Sequence, residues 1–380
     1  MTTDTDTVLK VVQGEFVLER LPKRSLELLR AWDAADEYLL SYMAEQAIDP
    51  DARLLILNDS FGALALGLNV YKPQAVSDSY LSQQATRLNL LANNIPAEQL
   101  SLTNSLEPLT GFYDWVLIKA PKTLALLEEQ LIRIHPHLNG TTQLIVAGMV
   151  KTMTPTIWKL VERLIGATTT SLAKKKARLI FATPDPAIQA PDSPYPVCYQ
   201  LENSEHIISN HANVFSRDSL DIGTRFFLQH LPVTLGAVDI VDLGCGNGLL
   251  GLIAAEKNPE ALIHFVDESF MAVASAQDNF IRALGSERSA IFKVGDGLQD
   301  FLPDSVDIIL CNPPFHQQNA IGDQIANSMI KAAKNVLRKG GALWIVGNRH
   351  LNYQITLKRV FGSFHLVAEN KKFVILKAKC

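Results

Sequence analysis

Cysteine is scarce in this 380-residue chain, with four residues at positions 198, 245, 311 and 380. They are too few and too scattered for a disulfide framework, and no two form a CxxC pair. The nine histidines add no metal-ligand spacing, so no metal is expected. Long apolar runs are missing as well: no stretch reaches the roughly 18 residues that a membrane span needs. The opening MTTDTDTVLK lacks a positive segment followed by an apolar core, and no nucleophilic triad motif occurs. These absences predict a reducing cytoplasmic setting, no membrane contact and no export.

What is present is the composition of an ordinary globular chain: 47% hydrophobic and 19% charged, with 21 glycines and 18 prolines. The length exceeds one compact domain and predicts two of roughly 150 to 200 residues. The net charge of −4 conceals a pattern. Residues 1–150 carry −7, 151–180 carry +6, 181–330 carry −13 and 331–380 carry +10. One basic block thus lies late in each half, where it attracts a polyanion or simply solvates a surface. Thr183 to Pro196 holds five prolines, which fix φ and remove backbone donors. We therefore place a first domain at 1–185, a linker at 186–196 and a second domain at 197–380.

The halves match each other in order. RLLILNDSFGALAL (53–66) pairs with DIVDLGCGNGLLGL (239–252), and YDWVLIKAPK (113–122) with VDIILCNPPF (306–315). QLIVAG (143–148) pairs with LWIVG (343–347), and KKKARLIFA (174–182) with NKKFVILKA (370–378). Four markers in one order read as a duplicated domain. In each half strand-like runs alternate with helical patterns, over 87–95 and 125–138 in the first and 270–284 and 324–338 in the second. That rhythm predicts two tandem α/β domains, each a doubly wound, mainly parallel sheet.

The second half carries the chemistry. A strand ending in Asp242 runs into Gly244, Cys245, Gly246, Asn247 and Gly248 before an apolar helix. Glycines at such a turn let the backbone take positive φ and approach a ligand. A dinucleotide fingerprint would need glycines at 244, 246 and 249, and Leu249 breaks it. An acid-ended strand followed by G-x-G-x-G instead resembles the Rossmann-like class I methyltransferases, which implies S-adenosyl-L-methionine as cofactor. The next strand ends in Asp267, with Glu268 beside it; a carboxylate there accepts from both ribose hydroxyls or caps the following helix. The resemblance further implies that Asp296 sits near the adenine amino group and that Asp242 faces the methionine amino group. In the first half the loop is NDSFG (58–62), with one glycine kept, and Asp78 is read as the acid ending the following strand. Phe61 would crowd a cofactor, so this degenerate copy is expected to position substrate instead.

CNPPFH (311–316) ends the fourth strand of the second half. The lone pair of a planar exocyclic amine is delocalised into its ring, and acceptors on both N–H groups aim it at a methyl donor. Asn312 offers a side-chain oxygen and Pro313 a backbone carbonyl, while Pro313 and Pro314 hold the backbone rigid. Phe315 offers an aromatic face to a flipped base. His316 contacts the base, takes a proton or makes a structural hydrogen bond. Cys245 and Cys311 are near, without the Pro-Cys setting of enzymes that methylate ring carbons, and are read as small core residues.

A degenerate methyltransferase-like half followed by an intact one, joined before NHANVFSRDSLDIGTRFFLQHL (210–231), resembles the paired-domain bacterial rRNA guanine-N2 methyltransferases. The likeness spans essentially the whole chain, and AWDAADEYLL (31–40), KAPKTLALLE (119–128) and NPPFHQQ (312–318) resemble the branch that acts on the large ribosomal subunit. It implies a monomeric enzyme that methylates N2 of a specific guanine in 23S rRNA. A 16S rRNA guanine-N2 methyltransferase and a release-factor glutamine-N5 methyltransferase are the alternatives. The resemblance also implies that Phe215 to Thr224 covers the site mouth, with Phe215 and Arg217 toward substrate, unless the segment simply leads into the helix at 223–231. Lys174, Lys175, Lys176, Arg178, Lys371 and Lys372 are then expected to meet rRNA phosphates.

Overall fold

The computed structural model describes residues 6–23, 27–234, 236, 238–314 and 320–380, with the backbone alone at 320–323. The chain divides into two compact units, Met1–Tyr195 and Pro196–Cys380. The proline-rich segment is tied to the first: Asp185 N–H donates to Ile165 O at 2.8 Å, and the Tyr195 hydroxyl to Glu128 at 3.0 Å.

The first unit opens with a hairpin, β1 (Val8–Val11) and β2 (Gly14–Val17), then α1 (Ala34–Ala44) and β3 (Leu54–Leu57). There follow α2 (Ala63–Gly67), β4 (Gln74–Ser77), α3 (Tyr80–Ala92), β5 (Ser101–Asn104), β6 (Trp115–Lys119) and α4 (Leu124–Ile134). It closes with β7 (Gln143–Met149), α5 (Pro155–Leu164), β8 (Thr168–Thr170) and β9 (Ala177–Ala182). The second unit repeats the plan: a hairpin of β10 (Val197–Gln200) and β11 (Ile207–Asn210), then α6 (Ile222–Leu228) and β12 (Asp239–Leu243). Next come α7 (Leu249–Lys257), β13 (Leu262–Asp267), α8 (Phe270–Leu284), β14 (Ala290–Val294) and β15 (Val306–Cys311). The last elements are α9 (Ala320–Val336), β16 (Leu337–Asn348), α10 (Tyr353–Phe361), β17 (His365–Glu369) and β18 (Phe373–Lys379).

The two sheets run β5-β4-β3-β6-β7-β9-β8 and β14-β13-β12-β15-β16-β18-β17, one topology written twice. Five strands of each are parallel, and β9 or β18 enters antiparallel beside the edge strand. Helices cover both faces, which explains why β3, LLIL, is apolar and buried at every position rather than alternating. Two buried clusters flank each sheet, Leu54 and Ile56 on one face of the first and Leu55 and Leu57 on the other. The doubly wound α/β reading thus holds in both halves.

One expectation is corrected. Leu57 pairs with Val76 as Leu243 pairs with Val266, so Ser77, not Asp78, occupies the place of Asp267. Asp78 corresponds to Glu268, and its buried carboxylate accepts from the Ser105 hydroxyl at 2.6 Å. A one-residue slip in a short strand is invisible when both neighbouring positions are polar.

Candidate active site

The glycine loop and the Asn-Pro-Pro motif leave the C-terminal ends of β12 and β15, adjacent parallel strands at which the strand order reverses. The crevice outside such a switch point is where open α/β sheets bind ligands. Gly244 and Cys245 donate their N–H groups to Val266 O at 2.8 and 3.0 Å, and Gly246 N–H donates to Asp267 Oδ2 at 3.0 Å. Gly246 has φ of 54°, and a Cβ built on it would meet nothing within 4 Å, so this backbone lines open space. Gly248 is needed for the opposite reason: at φ of 78° its Cβ would lie 2.6 Å from the Ala276 Cβ in α8. Asn279, also in α8, donates to Asn247 O at 3.0 Å and to Ser209 O at 2.9 Å, tying the loop to the hairpin β10–β11.

Asp242 lies beneath the loop, 1% exposed, and accepts the Gly251 N–H at 2.8 Å. Burial, seconded by the charge of Asp267 and opposed by that one hydrogen bond, pushes its carboxyl up to about 8. An ammonium brought against it would restore the ionised form. Asp267 accepts the N–H groups of Gly246 and Ser269, one on each oxygen, at 3.0 Å. An ionised carboxylate offers about four acceptor sites, so ribose hydroxyls can share it with these amides. Glu268 is exposed beside it. Asp296 follows β14, accepts from the Gln299 amide and is raised by burial and by Asp300. Burial and nearby aspartates push the thiols of Cys245 and Cys311 up, so neither supplies a thiolate near neutral pH.

Asn312 is gripped on one side only. Its Nδ2 donates to Thr224 Oγ1 at 2.9 Å and to Asp221 Oδ2 at 3.4 Å. Its Oδ1 is buried and has no hydrogen-bond partner among the described residues. Asp221 is the N-cap of α6 and accepts the Thr224 N–H at 2.8 Å. Pro313 is buried and Pro314 exposed; Phe315 and His316 lie outside the described residues. Open backbone at Gly246, a buried acid beneath the loop and an unpartnered amide oxygen together fit a cofactor with a cationic amino acid portion, and a substrate that donates hydrogen bonds. The sequence put Asp221 and Thr224 in the Phe215–Thr224 cover but not against Asn312, and it missed Asn279, although Asn89 recurs at that place and donates to Phe61 O at 2.8 Å.

The first unit fills the equivalent place from within. Ile118 pairs with Leu57 as Cys311 pairs with Leu243, which puts Lys119 where Asn312 stands. Lys119 Nζ donates to Asp33 at 2.8 Å and to Asp36 at 2.7 Å. Asp33 is the N-cap of α1 as Asp221 is of α6, and Asp36 follows three residues on, as Thr224 does. The two carboxylates hold the Lys119 ammonium above its usual range although burial opposes it. They themselves diverge: complete burial raises Asp36, whereas the more exposed Asp33 is lowered by Lys119 once burial is overcome. Asp59 accepts N–H groups from Gly62 and Ala65 and is pushed up to about 6 by burial and by Asp36.

Lys174, Lys175 and Lys176 are exposed in the turn before β9, and Lys371 and Lys372 in the turn before β18. Ala177 pairs with Met149 and Phe373 with Asn348, so each turn sits at the C-terminal, ligand-binding end of its own parallel strands. Lys175 is drawn to Glu37 at 2.6 Å, and Lys174 and Lys372 lie over the rings of Tyr38 and Phe373. Arg178 faces Trp158. Arg217 is turned onto Asp218 and Ala212 O, while Phe215 is 67% exposed. Among the described residues no acidic, histidine or cysteine cluster could hold a metal ion, and no helix is long and apolar enough to cross a membrane.

Comparison with known proteins agrees with this division. Residues 6–186 match the RLMG N-terminal domain, and residues 205–377 match the methyltransferase small domain. A ribosomal RNA large subunit methyltransferase G of Stutzerimonas stutzeri is 50% identical over 98% of this chain and 99% of its own. One of Streptomyces griseus is 47% identical over 96% of this chain and 97% of its own. Among solved structures, a T. thermophilus 16S rRNA N2 methyltransferase in complex with AdoMet and guanosine has a TM-score of 0.78 at 23% identity, covering 98% of this chain and 97% of that one. The chain belongs to the family of ribosomal RNA large subunit methyltransferase G.

Proposed function

We propose that the second unit transfers a methyl group from S-adenosyl-L-methionine to the exocyclic N2 of a guanine in 23S rRNA, and that the first unit and the basic turns hold the RNA. The observation that carries this reading is the buried Oδ1 of Asn312 at the sheet's switch point, which has no hydrogen-bond partner among the described residues. Leaving an acceptor buried without a donor costs about 1–3 kcal/mol, and an amine N–H placed there relieves it. The names of the relatives support the large-subunit RNA as substrate.

When bound, the cofactor supplies an electrophilic methyl group on a sulfonium. Asp242 would balance the methionine ammonium, Asp267 would take the ribose hydroxyls, and the open backbone at Gly246 would come close, while Gly248 lets the loop pack on α8. Asn312 Oδ1 and the Pro313 carbonyl accept the two amine N–H groups, which favours a pyramidal nitrogen aimed at the methyl. Phe315, which lies outside the described residues, keeps the expected role of an aromatic face for the base. Holding the amine in place would supply most of the rate, and the methylated amine would lose its proton to solvent, so the chain need supply no strong base. Exposed lysines at the ligand end of each sheet meet phosphates.

The test is transfer of radiolabelled methyl to total rRNA and, separately, to a release factor, followed by nucleoside analysis. N2-methylguanosine in 23S rRNA is expected; label in protein alone, or in 16S rRNA alone, overturns the reading. Asn312→Ala is expected to abolish transfer while cofactor affinity stays within about twofold, because Oδ1 acts on the amine.

A further inference from the structure

We infer that Asp221 and Thr224 are positioning residues that set which way the Asn312 amide faces; the inference rests on the amine-orienting role proposed for Asn312. An asparagine amide has a donor end and an acceptor end of nearly the same shape, and only the acceptor end serves a donating amine. A hydroxyl cannot choose between them, since Thr224 Oγ1 both donates and accepts. An ionised carboxylate can: Asp221 accepts only. Its Oδ2, 3.4 Å from Asn312 Nδ2, would face the other oxygen in the flipped amide, which is repulsive. Asp221 therefore selects the orientation, and Thr224, at 2.9 Å, completes the grip.

The first unit supports the same division of labour. There the N-cap of α1 and the residue three places on, Asp33 and Asp36, hold the group at the strand end, and that group is the purely donating Lys119. Both copies use a helix N-cap acid to take hydrogen bonds from the residue at the end of the fourth parallel strand, Lys119 in the first and Asn312 in the second. In the first copy every partner is internal. In the second, Asn312 has one end held and the other left for a ligand. The cap is intrinsic to the device, because Asp221 Oδ2 also accepts the Thr224 N–H at 2.8 Å and so fixes Thr224 relative to itself.

The test uses the full-length protein with rRNA. Thr224→Val removes the hydroxyl but keeps the capped N–H; Asp221→Asn keeps a good N-cap but adds donors that admit the flipped amide. Each is expected to lower kcat about tenfold to a hundredfold with cofactor affinity and melting temperature near wild type, and Thr224→Ser to restore turnover. Independently of turnover, the Asn312 side-chain NH2 resonances, assigned by their loss in Asn312→Ala, should shift and exchange faster with water in both variants. Wild-type kcat in both variants, or a loss confined to cofactor affinity, overturns the inference. If Asn312→Ala itself turns over normally, the amine-orienting role fails instead, so the two failures are told apart.

Discussion

Asp242 makes the second unit's stability depend on pH in a direction unusual for an aspartate. Its carboxyl is raised from the ordinary 3.8 to about 8, chiefly by burial. The folded state therefore holds a proton that the unfolded chain has released. Stability from this group is fully present below the unfolded value and is lost as pH rises toward 8, at about 1.4 kcal/mol per pH unit. Between pH 6 and pH 8 the loss is about 2 kcal/mol, which for a unit of this size lowers the melting temperature by roughly 4–8 °C. Asp242→Asn keeps an oxygen for the Gly251 N–H and removes the titration. Melting wild type and variant across pH 6 to 8 cancels the other titrating groups, so wild type should fall relative to the variant by that amount. Saturating S-adenosyl-L-methionine should shrink the gap by favouring the ionised carboxylate. Parallel curves without cofactor would refute the reasoning.

Lys119→Met leaves the buried Asp36 without its cation and the half-exposed Asp33 unpaired, and should destabilise the first unit by about 3 kcal/mol, the low end for a buried pair because water screens Asp33, with cofactor affinity unchanged, read by denaturant unfolding and cofactor titration. Gly248→Ala combines a left-handed backbone penalty of roughly 1–2 kcal/mol with a 2.6 Å approach to Ala276, so calorimetry should show a less stable second unit and titration a weaker cofactor site. Replacing Lys371 and Lys372 by Glu should weaken rRNA binding and flatten its salt dependence by about two ion equivalents, measured by binding across a salt series.

The α/β architecture was legible because buried parallel strands are long in apolar residues and each marker recurred in order. The glycine loop and Asn312 were legible too, since both sit at strand ends where local sequence decides the backbone. The contacts of Asn312 were not: Asp221 and Thr224 precede it by 91 and 88 residues, and only the sheet brings α6 against the end of β15. Asp78 shows a second limit. The repeat fixes which strand matches which, but a single polar step at its end required the register of β3 with β4. Lys119 sat inside a recognised marker, yet its partners lie in a segment that shows no repeat signal.

The Lys119 cluster also makes the first unit's arrangement hard to undo one residue at a time. Changing Lys119 to asparagine alone would strand the buried Asp36 carboxylate and leave the half-exposed Asp33 unpaired, and replacing Asp36 alone would remove one of the two partners of a buried ammonium. Each such single step costs stability on the order of 3 kcal/mol before any ligand site is opened. Against a native stability of about 5–15 kcal/mol such a loss is large, so the internal ion pairs resist single substitutions toward the second unit's arrangement. The two copies of one fold are thereby committed to separate tasks.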